Sequence, residues 1–531
     1  MFGFAALTSP SISYYNPKVN KINESKTLTQ AEWIGLILGI SVLFGAFVRF
    51  FPGLMTGFPL NDGGMFLSMI QDLRESRGIL PEFTSYNRLN IPFAYPPFGF
   101  YFARFSSDIF GASDIDTLRW LPPLVNTASI LVFYLLTSEI LSSKQLGALA
   151  AGFYALMPGA YGWFVMGGGL TRSFGSIFLL LAVLSVLRAF KSGTAWNTAL
   201  SILYCSLTVL SHPEAGLHTA AICVLLWFFY GRNAGSFGRA ILIGVGVLLA
   251  TSPWWLTVVS YHGLLPFFSA LHTGYNGKPV WIALGDLLIG ADVTPVLAIL
   301  RIIGLIWSLW TRQYLLSLWV LLPYLVEPRS APSVANYPLA MMLALVFAQA
   351  IPRSISILGR KPAAEIHKDK KVNNILLGIL IYMFIESNLY GFRLVGNSLT
   401  PGERDAMSWI ELNTPADAFF LPLTGVLSPE TDPFAEWFPA LTQRHSQSTI
   451  QGYEWTLADG FFRRYSLLSE LQRCDSVDCV ERWSRENDLP YDYAVLAANR
   501  AKGKLGRSFQ MNPGYARVYY AQDIAVYEKK P

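Results

Sequence analysis

The chain has 531 residues, 52% hydrophobic and 14% aromatic but only 14% charged, with a formal net charge of +5. Soluble domains carry about 25% charged residues, so soluble, fibrous and disordered classes are excluded. The shortage is uneven: residues 1–392 hold 25 Lys/Arg and 17 Asp/Glu, about 11% charged, whereas residues 393–531 hold 15 and 18, about 24%. The first part reads as bilayer-embedded and the last as an ordinary soluble domain. A basic membrane part and a mildly acidic tail together make the +5, which is therefore no argument for nucleic acid as a partner.

A membrane-crossing helix needs roughly 20 apolar residues. In chain order, such runs fall near 33–51, 120–137, 145–160, 174–190, 197–210, 215–230, 240–261, 293–310, 314–326, 337–351 and 373–390. About eleven spans are expected. A polar stretch precedes the first run and no A-x-A-like site follows it, so it reads as an anchor rather than a cleaved signal peptide. The expected division is a cytoplasmic segment 1–32, a membrane domain 33–392 with a long first outer loop 52–119, and an outer α/β domain 393–531.

Basic residues of connecting loops set the orientation. With the N-terminus inside, inner segments hold Lys18, Lys21, Lys26, Lys144, Arg188, Lys191, Arg232, Arg239, Arg312 and Arg353, then Arg360, Lys361, Lys368, Lys370 and Lys371. Short outer loops hold only Arg172, Lys278 and Arg329. Eleven spans then leave the tail outside, in a multi-pass protein, with the cell membrane as the expected location.

Costly polar groups in a membrane protein are functional candidates by default. The first outer loop opens with Leu60-Asn61-Asp62-Gly63-Gly64, an amphipathic segment running through Arg77. It continues past Tyr95-Pro96-Pro97 into a second amphipathic stretch, 100–110. Both stretches read as helices lying along the membrane surface. Asp62 has two readings: an N-cap of the first helix, or a general base that takes a proton from an acceptor.

Gly167-Gly168-Gly169-Leu170-Thr171-Arg172 leads into the 174–190 run. It is either an anion-binding turn at a helix start or a tight turn with a snorkelling arginine. Ser211-His212-Pro213-Glu214 is either a polar hairpin or part of a site; Glu214 is the only acid between Glu139 and Asp286. Glu327-Pro328-Arg329 offers an arginine whose fork suits phosphate oxygens, or a surface arginine at a helix start. Asp114-Ile115-Asp116 has a spacing that could hold a divalent metal or simply cap the next helix.

In the tail, 405–412 reads as a helix and 418–421, 493–496, 517–520 and 524–527 as strands. Cys474 and Cys479 could pair in an oxidising exterior or stay reduced. Neither a P-loop, a G-x-S-x-G elbow nor HExxH occurs.

The pattern resembles the GT-C superfamily of integral-membrane glycosyltransferases, which includes protein O-mannosyltransferases, aminoarabinose transferases and oligosaccharyltransferase catalytic subunits. The resemblance rests on Asn61-Asp62 early in a long first outer loop, the two loop helices and Tyr95-Pro96-Pro97. Further on it rests on Arg329 followed by Tyr337-Pro338-Leu339-Ala340. In the tail it rests on Trp409-Ile410-Glu411-Leu412-Asn413-Thr414-Pro415 and Trp437-Phe438-Pro439-Ala440-Leu441. It implies transfer of a sugar from a polyprenyl-phosphate donor to an acceptor outside the membrane, with Asp62 as base. Arg329 and Arg172, with His212 and Glu214, then hold the lipid phosphate, and Asn61 and Tyr95 provide loop or acceptor contacts.

Metal-dependent members need further acids in the first and second outer loops. The second loop here has none, and Gly63 follows Asp62 where many O-mannosyltransferases have an Asp-Glu pair. The expectation is therefore a metal-independent, inverting displacement with no cofactor. The partners implied are the lipid-linked donor, membrane lipids and a glycan, lipid or protein acceptor. The alternatives are a lipid-linked-saccharide transporter or flippase, against which the one-sided polar groups and missing repeat count, and a non-catalytic scaffold of the same fold.

Overall fold

The computed structural model describes residues 29–273, 281, 285, 296–359, 370–497 and 499–530. Each of the eleven apolar runs is helical where described. In order they are Gln30–Thr56, Asp114–Ile140, Lys144–Leu156, Gly169–Ser192, Ala195–Ser211, Pro213–Tyr230, Ala234–His262, Val296–Trp310, Tyr314–Val326, Ala331–Leu345 and Lys370–Val395. Among the described residues, seven helical stretches are long and apolar enough to cross a membrane, and three of the others are shorter apolar helices. Lys18, Lys21, Lys26, Lys278, Arg360, Lys361 and Lys368, used above for orientation, lie outside the described residues, as do the side chains of Lys370 and Lys371.

Helix starts follow from capping chemistry, because first-turn amides lack partners inside the helix. Thr29 and Glu32 form a reciprocal capping box on the first helix. Ser113, Ser143, Thr194 and Asn233 each accept a first-turn N–H through a side-chain oxygen, and His212 does so through its ring. The tenth span begins earlier than expected, at Ala331, and runs through a π-helical turn, Val346–Ala350, into Ile351–Gly359.

The long first loop folds as the helix Gly64–Glu75, an antiparallel ribbon of Phe83–Thr84 and Ile91–Pro92, and the helix Phe98–Phe110. The second helix presents Phe105, Ile109 and Phe110 outward, as a membrane-facing helix should. The first does not lie on the surface. Its Met69, Ile70 and Leu73 are fully buried, because the tail packs over its apolar face.

The tail is a five-stranded mixed sheet in the order His445–Ser446, Phe419–Leu423, Tyr493–Leu496, Ile524–Lys529, Tyr515–Ala521. The first three strands are parallel and the last two form an antiparallel hairpin. Helices flank the sheet, and Cys474 is disulfide-bonded to Cys479. The change in composition at residue 392 does not coincide with a change in packing. Met69 and Ile70 of the loop share one apolar cluster with Met407, Ile410, Trp437 and Val526 of the tail. Asn87 and Ser446 exchange two hydrogen bonds across the same seam, at 3.0 and 2.7 Å.

Candidate active site

Residues Asn61 to Gly64 make a tight turn between the first span and the loop. Asn61 sits at φ 52°, its amide donating to the Asn397 carbonyl at 2.6 Å. Trp437 Nε1 donates to the Asn61 carbonyl at 2.8 Å. Gly63 has φ 139°, and a Cβ there would lie 2.8 Å from the Trp437 ring, so only glycine fits.

Asp62 does not cap the helix that follows it. Its Oδ1 accepts from Gly168 N at 3.0 Å, and its other oxygen is ion-paired with Arg172. The cap comes instead from the tail. Glu436, on the helix Pro433–Thr442, accepts from Gly63 N at 2.9 and 3.0 Å and from Gly64 N at 3.1 Å. Burial, and then the nearby Asp62 charge, pushes the Glu436 carboxyl well above its usual range. The short turn explains this exchange of roles: with Asn61 in the left-handed region, the Asp62 side chain is turned toward the Gly167–Gly169 segment.

Arg172 lies in the first turn of Gly169–Ser192. Besides Asp62 it donates to the Trp163 carbonyl at 2.8 Å, and its guanidinium stands 5.4 Å from the Trp163 ring centre. Beside it, Thr171 Oγ1 donates to the Tyr95 hydroxyl at 3.3 Å. Burial raises the Tyr95 phenol to about 12, against the opposing pull of Thr171, Arg172 and Arg329.

His212 accepts from Ala215 N through Nδ1 at 3.3 Å and packs edge-on to Tyr95, with ring centres 6.3 Å apart. Burial lowers its pKa to about 4; Glu214 works against this, while Arg172 and Arg329 reinforce it. The ring is therefore neutral at physiological pH. Arg329 pairs with Glu214 at 2.7 Å and keeps 54% of its side chain exposed.

The turn that carries Arg329 is held by Glu327, which accepts from Arg329 N at 3.0 Å, Ser330 N at 2.8 Å and Ser330 Oγ at 2.6 Å. Buried His218 reaches Ser330 Oγ at 2.9 Å. Burial opposes ionisation of Glu327, but His218 and Ser330 outweigh it and hold the carboxyl down at about 2.

Of the residues singled out in the sequence, Asn61, Asp62, Tyr95, Arg172, His212, Glu214 and Arg329 occupy one corner of the molecule. Tyr95 and His212 both lie within the electrostatic reach of Arg172, Glu214 and Arg329. Glu327, from the same motif as Arg329, joins them, as do Glu436, His218 and Glu454, which had not been singled out. Glu436 alone had a signal, standing directly before Trp437-Phe438-Pro439.

Asp114 and Asp116 stand apart from this corner. Asp114 is bound by Arg74 at 2.5 and 2.9 Å, and Asp116 by its cap partner Ser113 at 2.7 Å. Among the described residues, no three His, Cys, Asp or Glu side chains gather as a metal site.

A turn carrying paired carboxylates and arginines thus sits at one end of a many-helix bundle, against a mixed α/β tail. A family profile described as dolichyl-phosphate-mannose-protein mannosyltransferase matches residues 94–256. No curated protein sequence matches the chain.

Several solved structures are similar. The oligosaccharyltransferase AglB from Archaeoglobus fulgidus, in complex with an inhibitory peptide and a dolichol-phosphate, aligns with TM-score 0.56 and 14% identity over 94% of this chain and 74% of that one. ArnT from Cupriavidus metallidurans, bound to undecaprenyl phosphate, gives TM-score 0.56 and 14% identity over 94% and 98%. The arabinofuranosyltransferase AftD from Mycobacteria gives 0.53 and 15% over 95% and 40%. At these identities the likeness is one of fold, and the chain has the mainly helical membrane fold with an α/β tail that its sequence led us to expect.

Proposed function

We propose that the chain is a membrane glycosyltransferase that moves a sugar from a polyprenyl-phosphate carrier to an acceptor at the outer membrane face. The observation that carries this reading is the Asp62–Arg172 pair, braced on Gly168 and set beside the Glu214–Arg329 pair around Tyr95 and His212. Carrier phosphates held by AglB and ArnT, which share the fold, support the donor class.

In this mechanism the acceptor oxygen attacks the anomeric carbon as its proton passes to Asp62. The bond from that carbon to the phosphate oxygen breaks, its electron pair leaves with the polyprenyl phosphate, and the configuration inverts. A carboxylate has about four lone-pair sites, so Asp62 can receive a proton while Gly168 and Arg172 orient it. Arg329 stabilises the charge that builds on the departing phosphate. Engagement of Asp114 with Arg74 and of Asp116 with Ser113 supports a displacement run by protein groups.

Charge sorting supports the outer face. The helix Gly169–Ser192 carries Arg172 in its first turn and Arg188 and Lys191 near its other end, a separation of roughly 24–28 Å at 1.5 Å per residue. The basic residues and the site therefore lie at opposite ends of this helix.

The test is sugar release from labelled polyprenyl-phosphate sugars by purified wild type, Asp62→Asn and Arg329→Ala in detergent. Wild type should turn over, and Asp62→Asn should lose about a hundredfold or more, as for a general base. Unchanged turnover in Asp62→Asn would remove the base assignment. Wild type that binds the labelled lipids in detergent but releases no sugar from any donor would favour the transporter or the scaffold.

A further inference from the structure

We propose that Glu454 and Trp455, supplied by the tail, contact the sugar of the lipid-linked substrate in the corner formed with Tyr95 and Arg329. This rests on the transferase reading and assigns a part of the site that the mechanism above leaves unused.

Both residues lie on the short turn Tyr453–Trp455, which is seated firmly against the membrane part. Gly452, at φ 94°, is pressed so closely on Ile91 that any side chain would collide with it. Ala458 N donates to Ser269 Oγ at 2.7 Å, fixing the residues that follow on the helix Leu265–Thr273. The tail therefore delivers these side chains to a defined place.

Trp455 is 4% exposed, and its ring stands edge-on to Tyr95 with centres 5.6 Å apart. Its indole N–H has no hydrogen-bond partner among the described residues. Buried donors are nearly always satisfied, so one left open beside a reactive cluster points to an acceptor that arrives with a ligand. Glu454 takes Gly452 N at 2.7 Å and lies within reach of the Arg329 charge. Burial shifts its carboxyl upward.

An indole donor beside a carboxyl acceptor distinguishes the two halves of the substrate. A phosphate offers acceptors only and is repelled by Glu454. A sugar hydroxyl both accepts from the indole and donates to the carboxyl, and the Tyr95 and Trp455 rings wall one side of it. The phosphate then belongs with Arg329 and the sugar with the tail.

The experiment measures binding of four probes to the purified full chain: undecaprenyl phosphate, and undecaprenyl-phosphate glucose, galactose and mannose. Wild type should prefer at least one sugar-bearing lipid to the bare carrier. Trp455→Phe and Glu454→Gln should each cut that preference by about fivefold, the loss of one hydrogen bond, with bare-carrier affinity unchanged within about twofold in Trp455→Phe and unchanged or raised in Glu454→Gln, which lifts the repulsion of the phosphate. Thermal stability of Trp455→Phe should stay level or rise, because the deleted N–H has no protein partner; a purely structural Trp455 would lose stability instead.

Equal weakening of all four probes, or a sugar preference that survives both variants, overturns the assignment. So does a wild type that binds the bare carrier as well as every sugar form. Failure of wild type to bind even the bare carrier overturns the transferase reading, and this proposal with it.

Discussion

Glu436 ties the tail to the turn that carries Asp62, and Glu436→Ala is the sharpest test of that tie. The substitution leaves Gly63 N and Gly64 N without the oxygens now at 2.9, 3.0 and 3.1 Å. A buried amide without a partner costs about 1–3 kcal/mol, so the two together cost about 2–6 kcal/mol. Glu436→Gln keeps one carbonyl oxygen for these amides and should lose less.

The pH dependence separates the two variants further. The folded-state pKa of Glu436 is raised above its ordinary value of 4.5, so the folded chain binds this proton more tightly than the unfolded chain. Its contribution is complete below that value and is lost as pH rises through the folded pKa. Glu436→Gln carries no titrating group and should flatten that part of the stability profile. Hydrogen exchange at Gly63 and Gly64, with thermal unfolding in detergent across neutral pH, reads both effects. Unchanged exchange in Glu436→Ala, or an unaltered pH slope in Glu436→Gln, would refute the clamp.

Other expectations follow from single contacts. The lowered pKa of His212 means that stability is present above the unfolded value of 6.5 and is lost as pH falls toward about 4. His212→Asn, which can still cap Ala215 N, should remove that acid loss in thermal unfolding. Gly168→Ala places a Cβ 2.6 Å from the Asp62 carboxyl carbon and should abolish turnover in the sugar-release assay with the helices intact by circular dichroism. Buried Arg49 donates through Nε to Asn126 at 2.6 Å and through Nη1 to the Gly45 and Ala155 carbonyls at 3.0 and 2.6 Å, so Asn126→Leu leaves one charged donor without its acceptor and should destabilise the chain by about 1.5–3 kcal/mol in denaturation experiments.

The membrane helices were legible because their signal is local. Eleven apolar runs and their Ser, Thr and Asn caps lie within a few residues of one another along the chain. Strand 493–496 was equally readable from its own composition. The burial of Gly64–Glu75 was not, since an amphipathic helix has the same pattern whether its apolar face meets lipid or Trp437. The Asp62 cap reading failed for a related reason. Local spacing favoured it, and what displaced it was Glu436, more than 370 residues away. His218 was overlooked, and Glu327 was read only as a neighbour of Arg329, because their role is to fix the turn under Arg329, visible only once the Pro213–Tyr230 helix lies beside it.

Arg172 and Arg329 carry the same charge but differ in spare capacity. A guanidinium has five N–H donors in a fork. Arg172 uses its fork on Asp62 and the Trp163 carbonyl, lays its face on the Trp163 ring and is 22% exposed. Arg329 meets Glu214 while 54% of its side chain stays open. An incoming phosphate therefore finds donors on Arg329 and competes there with Glu214. Glu214→Gln removes the competing charge and keeps the shape. A partly exposed ion pair is worth about 0.2–1 kcal/mol, so affinity for bare undecaprenyl phosphate should rise by up to about fivefold. Arg329→Ala should lower it, and Arg329→Lys should restore only part, since an ammonium cannot present the two-pronged fork. Weaker carrier binding in Glu214→Gln would mean that Glu214 supports the phosphate rather than competing with it, and the phosphate would then have to be sought away from Arg329.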